Sequence, residues 1–158
     1  MTVKRSSMQR VRDEAEALGL DIDVQQMEQS TRTAQEAAVA CGCVVDQIIK
    51  SLIFERADNG ELVLVLVSGA HNADVSRLER HFGTSFDRAD TRKVRKVTGF
   101  AIGGVAPIGH LSPIQCAMDR HLLSFETVWA AAGRCDAVFA VASTALRDAI
   151  EADVIDVA

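Results

Sequence analysis

A chain of 158 residues, 48% apolar and 25% charged, can bury one core and has the balance of an ordinary globular domain. Its net charge of −5 argues against gripping long stretches of nucleic acid through phosphates, though not against touching one end of it. Aromatics are only 4%, with no Tyr and a single Trp, which disfavours an open stacking platform for single-stranded RNA.

Residues 1–12 are polar and basic and lack the apolar stretch of a signal peptide. No segment reaches the roughly 18 apolar residues of a membrane span. A cytoplasmic protein is therefore expected, with neither a membrane nor DNA as partner. The periodicity predicts a helix over 5–18 ending at Gly19, with Val11, Ala15 and Leu18 on one side, and a strand over 22–27. Thr33 and Glu36 form a capping box that opens a helix closed by Gly42. Strands at 47–55 and 61–67 are joined through Asn59-Gly60, a hairpin signal. A second capping box, Ser76 and Glu79, starts a helix reaching about Phe82, and Asp90 is placed to cap another through Val97. The remainder reads as strands at 114–118, 121–130 and 137–142, a helix at 144–151 and a strand at 153–157. Helices and strands mix without regular alternation. The expected fold class is α+β: a mixed, curved or barrel-like sheet flanked by helices, in one domain over 1–158.

Three features can carry chemistry. In the run 48–54, strand alternation puts Ile48, Lys50, Leu52 and Phe54 on one face, an ammonium among large apolar groups. Burying that charge is expensive unless it is paired or reaches a polar cavity; the alternative is an edge-strand lysine whose tip reaches water. The segment 98–110 holds four of the ten glycines and Pro107. Glycines let backbone N–H groups converge on an anion or a carbonyl oxygen, but such a loop also suits a plain sheet corner. On the first alternative, Gly104→Val should cut catalysis more than stability. His71, Asp74 and His110 are candidate acid–base groups, Asp74 equally a cap for a helix near Val75. No nucleophile elbow or Cys–His signature is present, so water is the default nucleophile. Cys41 and Cys43 with His71 or His81 make a poor metal set, and small buried hydrophobes are the better reading of the cysteines. Neither a metal nor another cofactor is expected.

In order, Ser30-x-x-Thr33-Ala-x-Glu36, Gln47-Ile48-x-Lys50-Ser51-Leu52-Ile53-Phe54, Val63 to Gly69 leading to Asp74, and Val97-Thr98-Gly99-Phe100-x-x-Gly103-Gly104-Val105-x-Pro107-x-Gly109 resemble the YbaK/prolyl-tRNA-synthetase-associated editing domain family. Asp119 also stands where that family carries an aspartate. The resemblance spans about 20–157 and implies a barrel-like mixed sheet and a free-standing deacylase. Such an enzyme hydrolyses misacylated tRNA, usually tRNA for proline carrying Ala, Cys, Ser or Thr. It implies a catalytic set of Lys50, Gly103 and Gly104. Thr33, Ser51, Asp74, Pro107, Gly109 and His110 are then expected to bind substrate. The implied partners are the 3′ end of aminoacyl-tRNA and prolyl-tRNA synthetase. The basic stretch Arg92, Lys93, Arg95 and Lys96 either contacts the acceptor stem or is a solvated helix face. A non-catalytic tRNA- or synthetase-binding module of the same fold is the alternative reading.

Overall fold

The hairpin predicted around Asn59-Gly60 organises the larger of two sheets. Gly60 takes φ 74°, its N–H donates to the Arg56 carbonyl (2.9 Å), and Asn59 Oδ1 accepts from the Glu61 N–H (2.9 Å). The hairpin pairs β2 (Ile49–Arg56) antiparallel with β3 (Leu62–Ser68), Lys50 opposite Val67 and Phe54 opposite Val63. Every residue of β3 is buried, which suits the apolar run Leu62 to Val67 to a strand covered on both faces. These positions come from a computed structural model that describes residues 6–28 and 33–158. Ser30 of the predicted motif and the first residues of the basic N-terminus lie outside the described residues.

Before the hairpin come α1 (Ser7–Ala17), β1 (Asp23–Gln26) and α2 (Ala34–Cys41). Thr33 caps α2 by accepting from the Glu36 N–H (3.1 Å), and Gly42 ends it in the left-handed region, as predicted. After the hairpin come α3 (Val75–Phe82), β4 (Phe86–Arg88), α4 (Thr91–Thr98), β5 (Gln115–Asp119), β6 (Thr127–Ala131), β7 (Ala137–Ala142), α5 (Ser143–Ala149) and β8 (Asp153–Ile155). The larger sheet runs β4-β2-β3-β5-β8 and is mixed, β3 being parallel to β5 and β5 to β8. The smaller, β1-β7-β6, is antiparallel.

Among the described residues this is the expected mixed α+β fold, with five α-helices and its strands divided between two sheets that do not close into one barrel. The sheets meet at one isolated bridge, Ile48 to Trp129. The main core lies between them, with Leu64, Leu66, Met118 and Phe139 among its members, and α1 and α4 add Val11, Ala15 and Val94. A smaller cluster on the other face of the larger sheet holds Val63, Val65, Val67 and Leu78.

Two local expectations also change. Asp74, not Ser76, caps α3: its carboxylate accepts from the Ser76 N–H at 3.0 Å. The strand expected over 121–130 is instead a 3₁₀ turn at Arg120–Ser124 followed by β6. Asp119 caps that turn through the His121 N–H, which bends the chain away from β5.

Candidate functional site

A cavity of about 350 Å³ opens at the seam where the two sheets bridge. Its walls come from Ile48 and the first half of β2 (to Leu52), β6 (Trp129 to Ala131), the start of β7, the start of α2, the loop residues Ile102, Gly103 and Val105, and the turn at Arg134-Cys135. Thr33, Lys50, Ser51 and Gly103, four of the predicted site residues, line it together.

Lys50 is half-buried, and its Nζ donates to the His71 carbonyl. That carbonyl is held in place in turn. The His71 ring bonds Asp119 Oδ2 through Nδ1 (2.8 Å), and the same carboxylate oxygen accepts from the Ser68 N–H (3.1 Å). Asp119 is 2% exposed and spends its other oxygen on the cap of the 3₁₀ turn, so it ties the loop after β3 to the end of β5. His121 stacks near His71 (centroids 4.8 Å apart) and bonds Asp46 at 2.7 Å, which holds the Asp46 carboxyl below the usual carboxylate range. The Ser51 hydroxyl is buried and, among the described residues, has no hydrogen-bond partner.

The glycine loop divides into two parts. Gly103 takes φ 98° and has open space where a side chain would stand. Its amide makes no hydrogen bond among the described residues. Gly104 is different: its N–H closes a turn onto the Ala101 carbonyl (3.0 Å), and a Cβ there would lie 2.9 Å from the Arg134 Cα. Close approach to neighbouring backbone explains Gly104, so the expectation that Gly104→Val spares stability is withdrawn.

Asp74, Pro107, Gly109 and His110 do not line this cavity. Asp74 is exposed, caps α3 and faces Arg77 at 3.6 Å. Pro107, Gly109 and His110 border a separate depression of about 450 Å³. His110 Nε2 donates to the Ala106 carbonyl (2.7 Å) beneath the loop, and its ring meets Phe100 edge-on at 5.8 Å. Burial pushes its pKa below the ordinary 6.5, with the Arg10 guanidinium acting the same way. The unfolded chain therefore takes up a proton that the fold resists. Stability attributable to His110 is complete above pH 6.5 and is lost as pH falls from there towards the lower folded-state value. His110→Gln, which keeps a donor for Ala106, is expected to flatten the fall in melting temperature between about pH 7.5 and 5.5. Parallel melting curves for both proteins would show that His110 does not carry it.

On α4, Arg92, Arg95 and Lys96 are exposed, whereas Lys93 donates to the Glu55 carboxylate and to the Gly60 carbonyl. The basic stretch is thus three free-facing cations and one that ties α4 to the hairpin. Burial pushes the Cys41 thiol up to about 11, with Cys43 adding to it, and the Cys116 thiol up to about 12. Neither is a ready thiolate at neutral pH. Among the described residues no three His, Cys, Asp or Glu side chains converge to hold a metal ion, and no helix is long and apolar enough to cross a membrane.

Residues 28–149 match the aminoacyl-tRNA editing domain family. The chain belongs to that family. A solved structure described as a candidate trans-editing enzyme for prolyl tRNA synthetase is 39% identical, superposes with a TM-score of 0.88, and is covered over 98% of both chains. The uncharacterized protein YwhH of Bacillus subtilis (strain 168) is 30% identical over 127 residues, 80% of each chain. Proline–tRNA ligase of Staphylococcus aureus (strain Newman) is 34% identical over 80 residues, half of this chain but 14% of the ligase. As an editing domain, the chain carries the translation-fidelity role of its family in a body that matches only a small part of a synthetase.

Three residues that line or support the cavity are not predicted from sequence. Trp129 forms a wall, and its being the only Trp was a faint signal. Arg134 stands at the cavity and pairs with Asp136 (2.9 Å), in a short turn with no motif of its own. Arg10 looked like one more charge in a basic N-terminal segment and is in fact 9% exposed.

Proposed function

We propose that this editing domain, read as one unit over 1–158, is a free-standing deacylase. It would hydrolyse the ester between a small wrong amino acid and the 3′ end of tRNA, with tRNA for proline as the expected carrier. The observation that supports this most is the seam cavity, where a half-buried lysine, a free glycine amide and small aliphatic walls meet. Its volume is at the lower end of the roughly 300–1,000 Å³ usual for small-molecule sites. Ala34, Ala37, Ala130 and Ala137 leave room for a short side chain. A synthetase pocket separates amino acids that differ by one methylene by only about 1–3 kcal/mol, so a second site of this kind supplies the missing discrimination.

The chemistry is the addition of water to the ester carbonyl. The carbon–oxygen bond to the terminal ribose breaks, and the ribose oxygen leaves with a proton. The products are free amino acid and intact tRNA. In this reading the Gly103 amide donates to the carbonyl oxygen as negative charge develops, while Lys50 orients the aminoacyl group or the terminal phosphate. Ser51 and Thr33 contact the substrate. Asp119 and His71 hold the carbonyl that holds Lys50. Pro107, Gly109 and His110 shape the loop from behind, and Asp74 caps a helix.

The fold of a non-catalytic tRNA- or synthetase-binding module would look the same. Mixing the protein with misacylated tRNA separates the two: binding accompanied by release of amino acid supports the deacylase, and saturable binding without release supports the module.

Exposed cations on α4 are proposed to meet tRNA phosphates. Arg92→Gln with Arg95→Gln is expected to weaken tRNA binding and flatten its dependence on salt by about one logarithmic unit per lost contact. Lys93 is left out of this test because the hairpin engages it. An unchanged salt slope would return α4 to the status of a solvated face.

A further inference from the structure

Arg10 reaches both ends of the glycine loop from α1. Its Nη2 donates to the Gly99 carbonyl (2.7 Å) and its Nε to the Gly109 carbonyl (3.3 Å). Between these bonds the guanidinium carbon lies 4.9 Å from the centroid of the Phe100 ring. The two carbonyls are ten residues apart in sequence, and the stretch between them contains Ile102, Gly103 and Val105, which face the seam cavity. One guanidinium therefore bridges the two ends of the loop that carries the Gly103 amide.

The glycines at the two ends fit around Arg10. Gly99 takes φ 79°, and a Cβ there would stand 2.5 Å from Arg10 Nη2. Gly109 takes φ 83°, and a Cβ there would stand 3.1 Å from the Arg10 backbone. At these two positions the lack of a side chain makes room for α1. The same helix also supports the opposite lip. A Cβ at Gly133 would meet Ser7 at 2.9 Å, and the turn that follows bears Arg134 and Cys135, which line the cavity. No residue of α1 lines the cavity, yet α1 underlies two of its walls.

We propose that Arg10 is a positioning residue: it fixes the glycine loop so that the Gly103 amide meets the reacting carbonyl, and it contacts neither substrate nor water. The mechanistic part rests on the deacylase reading above; the part about loop geometry does not. A planar fork spans two carbonyls while its face lies on an aromatic ring, which a compact ammonium cannot reproduce. Arg10→Lys keeps the buried cation and the stem and removes the two-point span.

Two readouts test this in the full chain. Hydrogen exchange reports the loop without reference to activity: the amides of Gly104, Leu111 and Ser112, bonded to Ala101, Thr98 and Val97, are expected to exchange about tenfold faster or more in Arg10→Lys, with β3 and β5 unchanged. Single-turnover deacylation reports the site: the maximal rate is expected to fall about tenfold or more while the half-saturating tRNA concentration stays within about threefold, as displacement of a catalytic group by a fraction of an ångström would do. Guanidinium added at millimolar concentration to Arg10→Gly is expected to restore part of that rate, and the same concentration of urea is not. Faster exchange spread evenly over the chain, or loss of the whole fold in both variants, overturns the proposal in favour of a general structural role. Unaltered loop exchange with a rate within threefold of wild type overturns it outright. Wild-type protein that releases no amino acid refutes the deacylase reading, and loop exchange then decides the geometry alone.

Discussion

Lys50→Ala is expected to be folded and nearly inactive. Lys50 is half-buried on β2, opposite Val67 and on the same strand face as Leu52, and its ammonium reaches one fixed acceptor, the His71 carbonyl. A charge in that setting adds little to stability, because desolvation offsets much of the gain from a single hydrogen bond. Its loss should change stability by about 1 kcal/mol or less. Loss of a charge-assisted contact to the transition state should cost roughly 2–4 kcal/mol, about 30- to 1000-fold in rate. Lys50→Met, which keeps the apolar stem, should melt still closer to wild type and be equally slow. Lys50→Arg should also be slow, since a fork is too broad for the place of an ammonium at a single carbonyl. Thermal melting beside single-turnover deacylation checks all three. A normally melting Lys50→Ala protein that deacylates within threefold of wild type would remove Lys50 from the site.

Gly103 and Gly104 are adjacent and should respond to substitution in opposite ways. At Gly104 a Cβ meets backbone of the 134 turn at 2.9–3.0 Å, which no side-chain rotation relieves. Gly104→Val is expected to lose stability by about 3 kcal/mol or more, with activity falling because the protein unfolds. At Gly103 a methyl group meets nothing within 4 Å, so the penalty is the strain of φ 98°, about 1–2 kcal/mol. Yet that open space is where the substrate carbonyl would approach the amide. Gly103→Ala is therefore expected to stay folded and lose at least about tenfold in deacylation rate. Equal losses of stability at the two positions, or a fully active Gly103→Ala, would contradict the division of the loop.

The elements that sequence made legible are those set by local chemistry. Asn59-Gly60 needs only its own turn, Thr33 and Gly42 need only the ends of one helix, and Asp90 caps α4 as its spacing suggests. Lys50 stood out because alternation exposed a local conflict, a cation on an apolar face. What was not legible depends on distant partners. Alternation in 121–130 resembled one strand, since Leu122 and Leu123 are apolar whether strand or turn; Asp119 decides it through a cap that ignores hydrophobic pattern. β4 is three residues long and exists by pairing with the end of β2. The sheets remain two because β6 meets Ile48 at a single bridge, and no strand's own sequence states how far a neighbouring sheet continues. Likewise four predicted site residues share the cavity, whereas Pro107, Gly109 and His110 share a loop with Gly103 but sit behind it. Proximity in sequence marked the loop and could not say which side faces the ligand.

The central claim is that this editing domain removes a wrong amino acid and spares the right one. The direct measurement is single-turnover release of labelled amino acid by the wild-type chain from tRNA for proline charged in turn with Ala, Cys, Ser, Thr and Pro. Rapid release of at least one of the first four, with prolyl-tRNA left intact and chelation without effect, is the predicted result. Binding of all five with release of none would contradict it and leave the chain a binding module; equal release of all five would remove the discrimination on which editing depends.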